Sequence, residues 1–511
     1  MQKRHNPSLH SYLFHRDSDK RSLLNHRQTH TKFFVSLASP LRFLSAMPKI
    51  LLFLFTLLMS SMAVADNKSI LIDESLTLLP AGAETSVLVF DPATDKPLLN
   101  HEGDILRPPA SVQKIVTALA ARLQLGSEFR FNTDIEAEQQ DIIFRFSGDP
   151  SLRRDDIRKL VAKLKKDHPV IRGDIYLNGS AFDDFELADG WPWDNLGVCY
   201  SAPSSSISLD DNCAVAKMLF EDKQSTKIGF KVSRDAPIHI IENVELLDGL
   251  EKRYCNFRLL ADNANQYKLG GCIGRHEIPR FLSFAVQNTA LYATEMIRRE
   301  LKHAGVELQG DIIRNDRASG KVIARHQSEP LPVLLDEMVK DSDNLIADNL
   351  LKTIGRHYYK EPGSFDNGVA AVKAVLKEKA GIDFSAAKLT DGSGLSRNNR
   401  MTAQHIMQIL QYIYKHPELK LMDTMAESGQ SGTLRYRYSL RTDALKNKVK
   451  GKTGSLYGTY NIAGVLTTHS GKDVLFVQLV TNYHHPDYHR HEKREIRRFE
   501  RQLYESLYAL D

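Results

Sequence analysis

Three short clusters of chemistry-bearing residues lie far apart in this 511-residue chain, and a fold must gather them before any can act together. The first is Ser111-Val112-Gln113-Lys114, directly after Arg107-Pro108-Pro109-Ala110. The prolines end the sheet ahead of it. Apolar residues at Ile115, Ala118, Leu119, Ala121 and Leu123, followed by Gly126, predict a buried helix over 111–125 with a glycine stop. On a helix, positions i and i+3 share a face, so the Lys114 amine reaches the Ser111 hydroxyl. The helix start also turns the positive end of its dipole toward developing negative charge. The second cluster is Ser342-Asp343-Asn344, at the head of a predicted helix Leu345–Ile354, and the third is Lys452-Thr453-Gly454-Ser455, which opens a predicted strand. Taken singly, each has a plain structural reading: a chance pair, a helix cap, a surface turn. Together they supply a hydroxyl nucleophile, two amines and an amide.

The pattern around these clusters is that of an α/β chain. Ser86–Phe90, a turn at Asp91-Pro92-Ala93-Thr94-Asp95, and Lys96–Asn100 predict a hairpin. Helical periodicity marks Thr289–Ala304, Pro332–Ile354, Val369–Lys379 and Thr402–Lys415. A second hairpin is expected at Asn461–Thr467 and Asp473–Val480. A last helix carries Ile496, Phe499, Leu503 and Leu507 on one face, as core packing requires. Strands from both ends with helices between imply one sheet domain, with 66–127 as its first part and 281–511 as its second. The texture of 128–280 differs: short strands, turns and one helix near Asp155–Lys166 predict an inserted β-rich module of one or two small subdomains.

Residues 47–65 read as a secretory signal peptide. Lys49 precedes a ten-residue run, Ile50–Met59, apolar but for Thr56, and then Ala63-Val64-Ala65. The run is half the ~20 residues that span a bilayer, so cleavage after Ala65 and no membrane span thereafter are expected. Residues 1–46 hold eight basic and two acidic side chains without a core-forming period; they read as a non-structural extension, with Met47 as the start. Residues 66–511 carry 59 basic and 61 acidic side chains, a balance that argues against nucleic-acid binding. The four cysteines, Cys199, Cys213, Cys255 and Cys272, fall within 74 residues. Four cysteines allow three pairings; two short loops, 199–213 and 255–272, are preferred, and the spacing matches no zinc motif. A histidine group at His484, His485, His489 and His491 reads as a polar loop, so neither metal nor cofactor is expected.

Ser-x-x-Lys, Ser-Asp-Asn and Lys-Thr-Gly, in that order, form the signature set of penicillin-binding proteins and class A β-lactamases. The 231 residues from Ser111 to Ser342 are too many for a compact β-lactamase and fit a fold with an insert. Over 66–511 the sequence resembles the class C low-molecular-mass penicillin-binding proteins, the D-alanyl-D-alanine carboxypeptidase/endopeptidases of the penicillin-binding protein 4 type. The resemblance extends to Ser147-Gly148-Asp149-Pro150, Gly190-Trp191-Pro192-Trp193, Asp391-Gly392-Ser393-Gly394-Leu395-Ser396-Arg397 and Gly432-Thr433-Leu434-Arg435-Tyr436-Arg437. It departs at Ser147, where the family usually shows glycine, at the variable Tyr457, and in the order Asp194-Asn195.

The resemblance implies a β-lactamase/transpeptidase-like domain, a periplasmic location, and peptidoglycan stem peptides and β-lactams as partners. Ser111 is then the nucleophile, Lys114 its base and Ser342 a proton relay, while Asn344 holds Lys114 and the substrate amide. Lys452 and Thr453 hold a terminal carboxylate, Gly454 leaves room along the strand, and the N–H groups of Ser111 and Ser455 stabilise the oxyanion. Arg397 is a candidate for a substrate carboxylate, and Asp194 with Tyr200 for the amine and aliphatic arm of diaminopimelate. Against these stand a surface ion pair for Arg397 and simple anchoring of the insert by Trp191 and Trp193. A β-lactamase or esterase on the same fold, or a non-catalytic wall-binding scaffold, is the alternative function.

Overall fold

Residues 87–90 and 474–480, the latter broken only by Gln478, are apolar runs, the pattern of strands covered on both faces. In a computed structural model of the protein, which describes residues 74–222, 227–247, 255–484 and 492–510, they are neighbours at the centre of a six-stranded antiparallel sheet. Its order is Ala426–Glu427, Val449–Leu456, Thr459–Thr467, Asp473–Thr481, Glu84–Asp91, Lys96–His101. Both predicted hairpins are present. One face of the sheet, with Leu88, Phe90, Ala463, Val465, Leu475, Val477 and Leu479, shares a single core with five helices. These are Lys114–Leu125, Leu331–Lys340, Asn344–Tyr359, Phe365–Ala380 and Ala403–Lys415. The first is the central one: every residue from Lys114 to Ala121 is buried, and three of these are alanines, which let neighbours approach closely.

The helical pattern over Pro332–Ile354 is two helices. Asp341-Ser342-Asp343 breaks it, Ser342 takes a left-handed φ of 67°, and Asp343 caps the second helix by accepting from the Ile346 N–H at 2.8 Å. Apolar periodicity runs through this break because both helices face the same core, while the polar triplet supplies the stop.

A five-stranded sheet follows the helix Lys114–Leu125, in the order Ile312–Arg314, Ile175–Asn178, Asp141–Arg145, Asn132–Glu138, Lys321–Gln327. Helices Arg154–Asp167 and Thr289–Ala304 pack on it in a second core. Two three-stranded sheets form a third core: Arg280–Ala285, Cys213–Phe220 and Ile228–Val232; and Arg258–Ala261, Gln266–Gly274 and His239–Leu247. The boundary expected at 280 is therefore misplaced. Strand Arg280–Ala285 has its partner in Cys213–Phe220, and residues 312–327 complete a sheet begun at 132, so the module runs on to about Ser328. Disulfides join Cys199 to Cys213 and Cys255 to Cys272.

The helix Glu492–Tyr508 buries Ile496, Phe499, Leu503 and Leu507. Among the described residues no helix is long and apolar enough to cross a membrane. The leader at 47–65, residues 1–46, and His485, His489 and His491 lie outside the described residues.

Candidate active site

The nucleophile candidate sits on a tight 3-10 turn, Ala110–Gln113, that runs into the central helix. In such a turn residues i and i+3 eclipse, which places Lys114 directly beneath Ser111, Nζ 3.0 Å from Oγ. The turn is held from the sheet side. Asn461, fully buried on Thr459–Thr467, donates through Nδ2 to the carbonyls of Pro108 and Pro109 at 2.9 and 3.0 Å and accepts from the Val480 N–H at 3.0 Å. Ala110 is held at a φ of 48°, which an alanine adopts only under constraint. Asn461→Ala strands three buried backbone groups, so it is expected to destabilise the fold by about 2–4 kcal/mol, read as a lowered Tm, and to slow acylation of the displaced serine.

Val449–Leu456 runs along the same turn. A Cβ at Gly454 would lie 2.7 Å from the Pro109 carbonyl oxygen and 3.0 Å from the Val112 nitrogen, so only glycine fits there. That close approach carries Lys452 into the interior. Its Nζ donates to Ser342 Oγ at 2.9 Å and to the Thr453 carbonyl at 2.9 Å. Thr453 Oγ1 donates to Thr433 Oγ1 at 2.8 Å, and Ser455 is exposed at the strand end.

Lys114 has three partners. Besides Ser111 it donates to Asn344 Oδ1 at 2.6 Å and to the Ser393 carbonyl at 2.7 Å. An ammonium fills all three with protons. A neutral amine keeps two for Asn344 and Ser393 and turns its lone pair to the Ser111 hydroxyl. Burial pushes Lys114 down to about 8, against the opposing charges of Asp348, Asp391 and Asp343. Burial, then the cations Lys114 and Arg437, hold Lys452 well below the ordinary lysine range, with Asp341 acting in the other sense. Arg437 stacks on the Tyr460 ring at 3.9 Å.

The 391–399 loop closes the site from the helical side. Asp391 Oδ1 accepts from the Gly394 N–H at 2.8 Å and Asn399 Nδ2 at 2.9 Å. Its Oδ2 accepts from the Ser396 N–H at 2.6 Å and Trp191 Nε1 at 2.9 Å. Trp191 thereby ties the insert to the main core, as expected; Trp193 does not, being 75% exposed.

The sequence matches the D-Ala-D-Ala carboxypeptidase 3 (S13) family over residues 68–503. The chain belongs to this family. It is 36% identical over 442 residues to the D-alanyl-D-alanine carboxypeptidase DacB of Haemophilus influenzae, covering 84% of this chain and 92% of that one. A D-alanyl-D-alanine carboxypeptidase of an Actinomadura species is 27% identical over 433 residues, covering 79% of this chain and 78% of that one. The crystal structure of penicillin binding protein 4 from H. influenzae superposes with a TM-score of 0.81 at 36% identity, covering 86% of this chain and 99% of that one. The fold is the β-lactamase/transpeptidase-like one.

Within this S13 peptidase, Lys114 joins Ser111 and Asn344 by hydrogen bonds, and the Ser342–Lys452 pair stands beside them, close enough for the Lys114 charge to act on Lys452. Asn344 Nδ2 donates at 2.7 Å to the carbonyl of Tyr200, which brings the insert to its edge. The Tyr200 phenol is pushed up to about 12 by burial and by the Asp194 charge, with Arg397 acting in the opposite sense, so these three residues share one electrostatic neighbourhood. Arg397 Nη1 donates to the Tyr457 carbonyl at 2.8 Å, and its N–H to the Gly190 carbonyl at 2.9 Å. Three members of the cluster were not foreseen: the Ser393 carbonyl, Thr433 and Asp348. Asp391-Gly392-Ser393-Gly394 was the available signal for the first.

Proposed function

We propose that the chain is a serine-type D-Ala-D-Ala carboxypeptidase of peptidoglycan stem peptides, working through an acyl-enzyme on Ser111. The observation that carries this is the Lys114 amine, held by Asn344 and Ser393 at 3.0 Å from the Ser111 hydroxyl in a buried site that lowers its proton affinity. Lys114 takes the serine proton as Oγ attacks the carbonyl of the penultimate D-alanine. The N–H groups of Ser111 and Ser455 receive the oxyanion. The serine proton passes from Lys114 by way of Ser342, which is bridged to Lys452, to the departing D-alanine nitrogen; the C–N bond breaks and Lys114 is again a neutral amine. Lys452 and Thr453 hold the terminal carboxylate. Water, deprotonated by the same amine, then releases the shortened peptide.

A β-lactam offers a strained amide and a carboxylate to the same groups, which accounts for acylation by penicillins. The H. influenzae relative has been crystallised in complex with a β-lactam; that structure superposes on this chain with a TM-score of 0.77 at 35% identity. Arg397, Asp194 and Tyr200 then line the side of the site where the stem peptide's diaminopimelate would lie. Its carboxylate suits Arg397, and its amine suits Asp194. The location proposed is the periplasm.

Digestion of purified muropeptides tests this reading, with monomeric pentapeptide beside cross-linked dimer and products weighed by mass spectrometry. Loss of one D-alanine from the pentapeptide is expected, and cleavage of the dimer would add endopeptidase activity. Rapid hydrolysis of a β-lactam with no D-alanine released would mark a β-lactamase instead. No covalent penicillin adduct and no product at all would leave a wall-binding scaffold.

A further inference from the structure

Behind Lys114, on the side away from Ser111, lies a carboxyl with no assigned part. Asp348 stands one helical turn past Asn344 on Asn344–Tyr359 and is 1% exposed. Its Oδ1 accepts from the N–H groups of Gly392 and Ser393 at 2.8 and 2.9 Å. Those two bonds fix the peptide whose next carbonyl, that of Ser393, receives the Lys114 proton at 2.7 Å. A second brace comes from the catalytic helix, where Thr117 Oγ1 donates to the Gly392 carbonyl at 2.7 Å. Asp348 Oδ2 is buried with no hydrogen-bond partner of ordinary geometry, and the Ser393 side chain, turned to the same carboxyl, favours its charged form.

We propose that Asp348 is a positioning residue of the acylation step, aiming Lys114 through the Gly392–Ser393 turn and providing the buried counter-charge against which the lysine takes up and returns the serine proton. The proposal rests on the acyl-enzyme reading of Ser111 and Lys114. The charged groups around the pair are few. Lys114 is opposed by Asp348, Asp391 and Asp343 and faces the cation Lys452; Asp348 faces Asp391 and Lys114, and Lys352 one turn further along its own helix. Asp391 is already saturated by Gly394, Ser396, Asn399 and Trp191, and Asp343 is engaged as the cap of the Asn344–Tyr359 helix; Asp348, which braces the turn that aims the lysine, is the carboxyl assigned the role. Burial and the Asp391 charge push Asp348 up to about 8, into the range where Lys114 titrates.

Asp348→Asn separates aim from charge, because an amide oxygen still accepts both N–H groups while the charge is gone. The measurement is the second-order rate of acylation by a fluorescent penicillin from pH 5.5 to 9.5, with Tm alongside. Without the counter-charge Lys114 loses its proton more readily, so the rising limb is expected to move about one unit to lower pH, with Tm little changed. A limb that stays within 0.3 unit of wild type overturns the proposal, whatever happens to the rate, since a merely structural aspartate would alter only rate and Tm. Should the Asn variant not fold, the wild type decides by infrared titration of the buried carboxyl C=O band. Its midpoint is expected to move upward in Lys114→Ala, and a band that does not move overturns the role. The wild-type adduct is read first in the same assay. Its absence defeats the acyl-enzyme reading and this proposal together, whereas an adduct with an unshifted limb defeats only the part given to Asp348.

Discussion

Ser111→Ala is expected to abolish covalent labelling by a fluorescent penicillin and to lower D-alanine release from a pentapeptide by roughly four to six orders of magnitude. The size of the loss follows from the role. The hydroxyl is the only group at 3.0 Å from the Lys114 amine that can become covalently bound, so removing it ends the acyl-enzyme route rather than slowing it. A residual rate is expected because the proposed oxyanion donors and the pair Lys452–Thr453, proposed to hold the terminal carboxylate, remain. The fold should be unaffected. Ser111 is only half-buried, alanine suits the turn, and Lys114 keeps its bonds to Asn344 and to the Ser393 carbonyl. Native Tm with no label is therefore the expected pair of results. A variant that still labels at the wild-type rate would place the nucleophile elsewhere.

The side chains that the fold gathers at the candidate site were legible in the sequence because type and spacing both constrain them. Ser111 and Lys114 are three apart on one turn, and Gly454 marks where a strand must press against that turn. Groups that act through the backbone left no such trace. The Ser393 carbonyl completes the coordination of Lys114, yet any residue type offers a carbonyl. Asp348 sits mid-helix, where an acid reads as solvated surface; only the three-dimensional approach of the 391–399 loop shows that it is buried. One error of organisation has a plain cause. Strand pairing between residues far apart, as between 132–138 and 321–327, is invisible to local periodicity, so the insert was closed too early. The helix start at Ser342-Asp343-Asn344 was legible from its capping residues, although apolar spacing continues across it and extends the helical pattern back to Pro332. Trp193 resembles Trp191 in composition but not in register, and only Trp191 meets a buried acceptor.

Lys114→Met should reduce acylation by about three to four orders of magnitude and erase its pH dependence on the acid side. Methionine fills most of the lysine's volume and keeps the helix, but it cannot take the serine proton. On the proposed mechanism the active form of the wild type is the free amine. Because burial brings Lys114 down to about 8, the acylation rate is expected to climb as pH rises from 6 and to level off above 8. An unperturbed lysine would place that limb near 10.5. The same displacement sets a stability signature with a definite sign. Between about 8 and 10.5 the unfolded chain keeps the lysine proton that the folded protein has released, so wild-type stability rises with pH through that window. The methionine variant has no such group and lacks this rise, so its Tm should fall relative to wild type across the interval. Parallel Tm curves for the two proteins, or an acylation limb near pH 10, would show that the site does not lower Lys114, whereas a rate flat from pH 6 to 10 would show that Lys114 enters the reaction as an ammonium and that the serine proton leaves by another path.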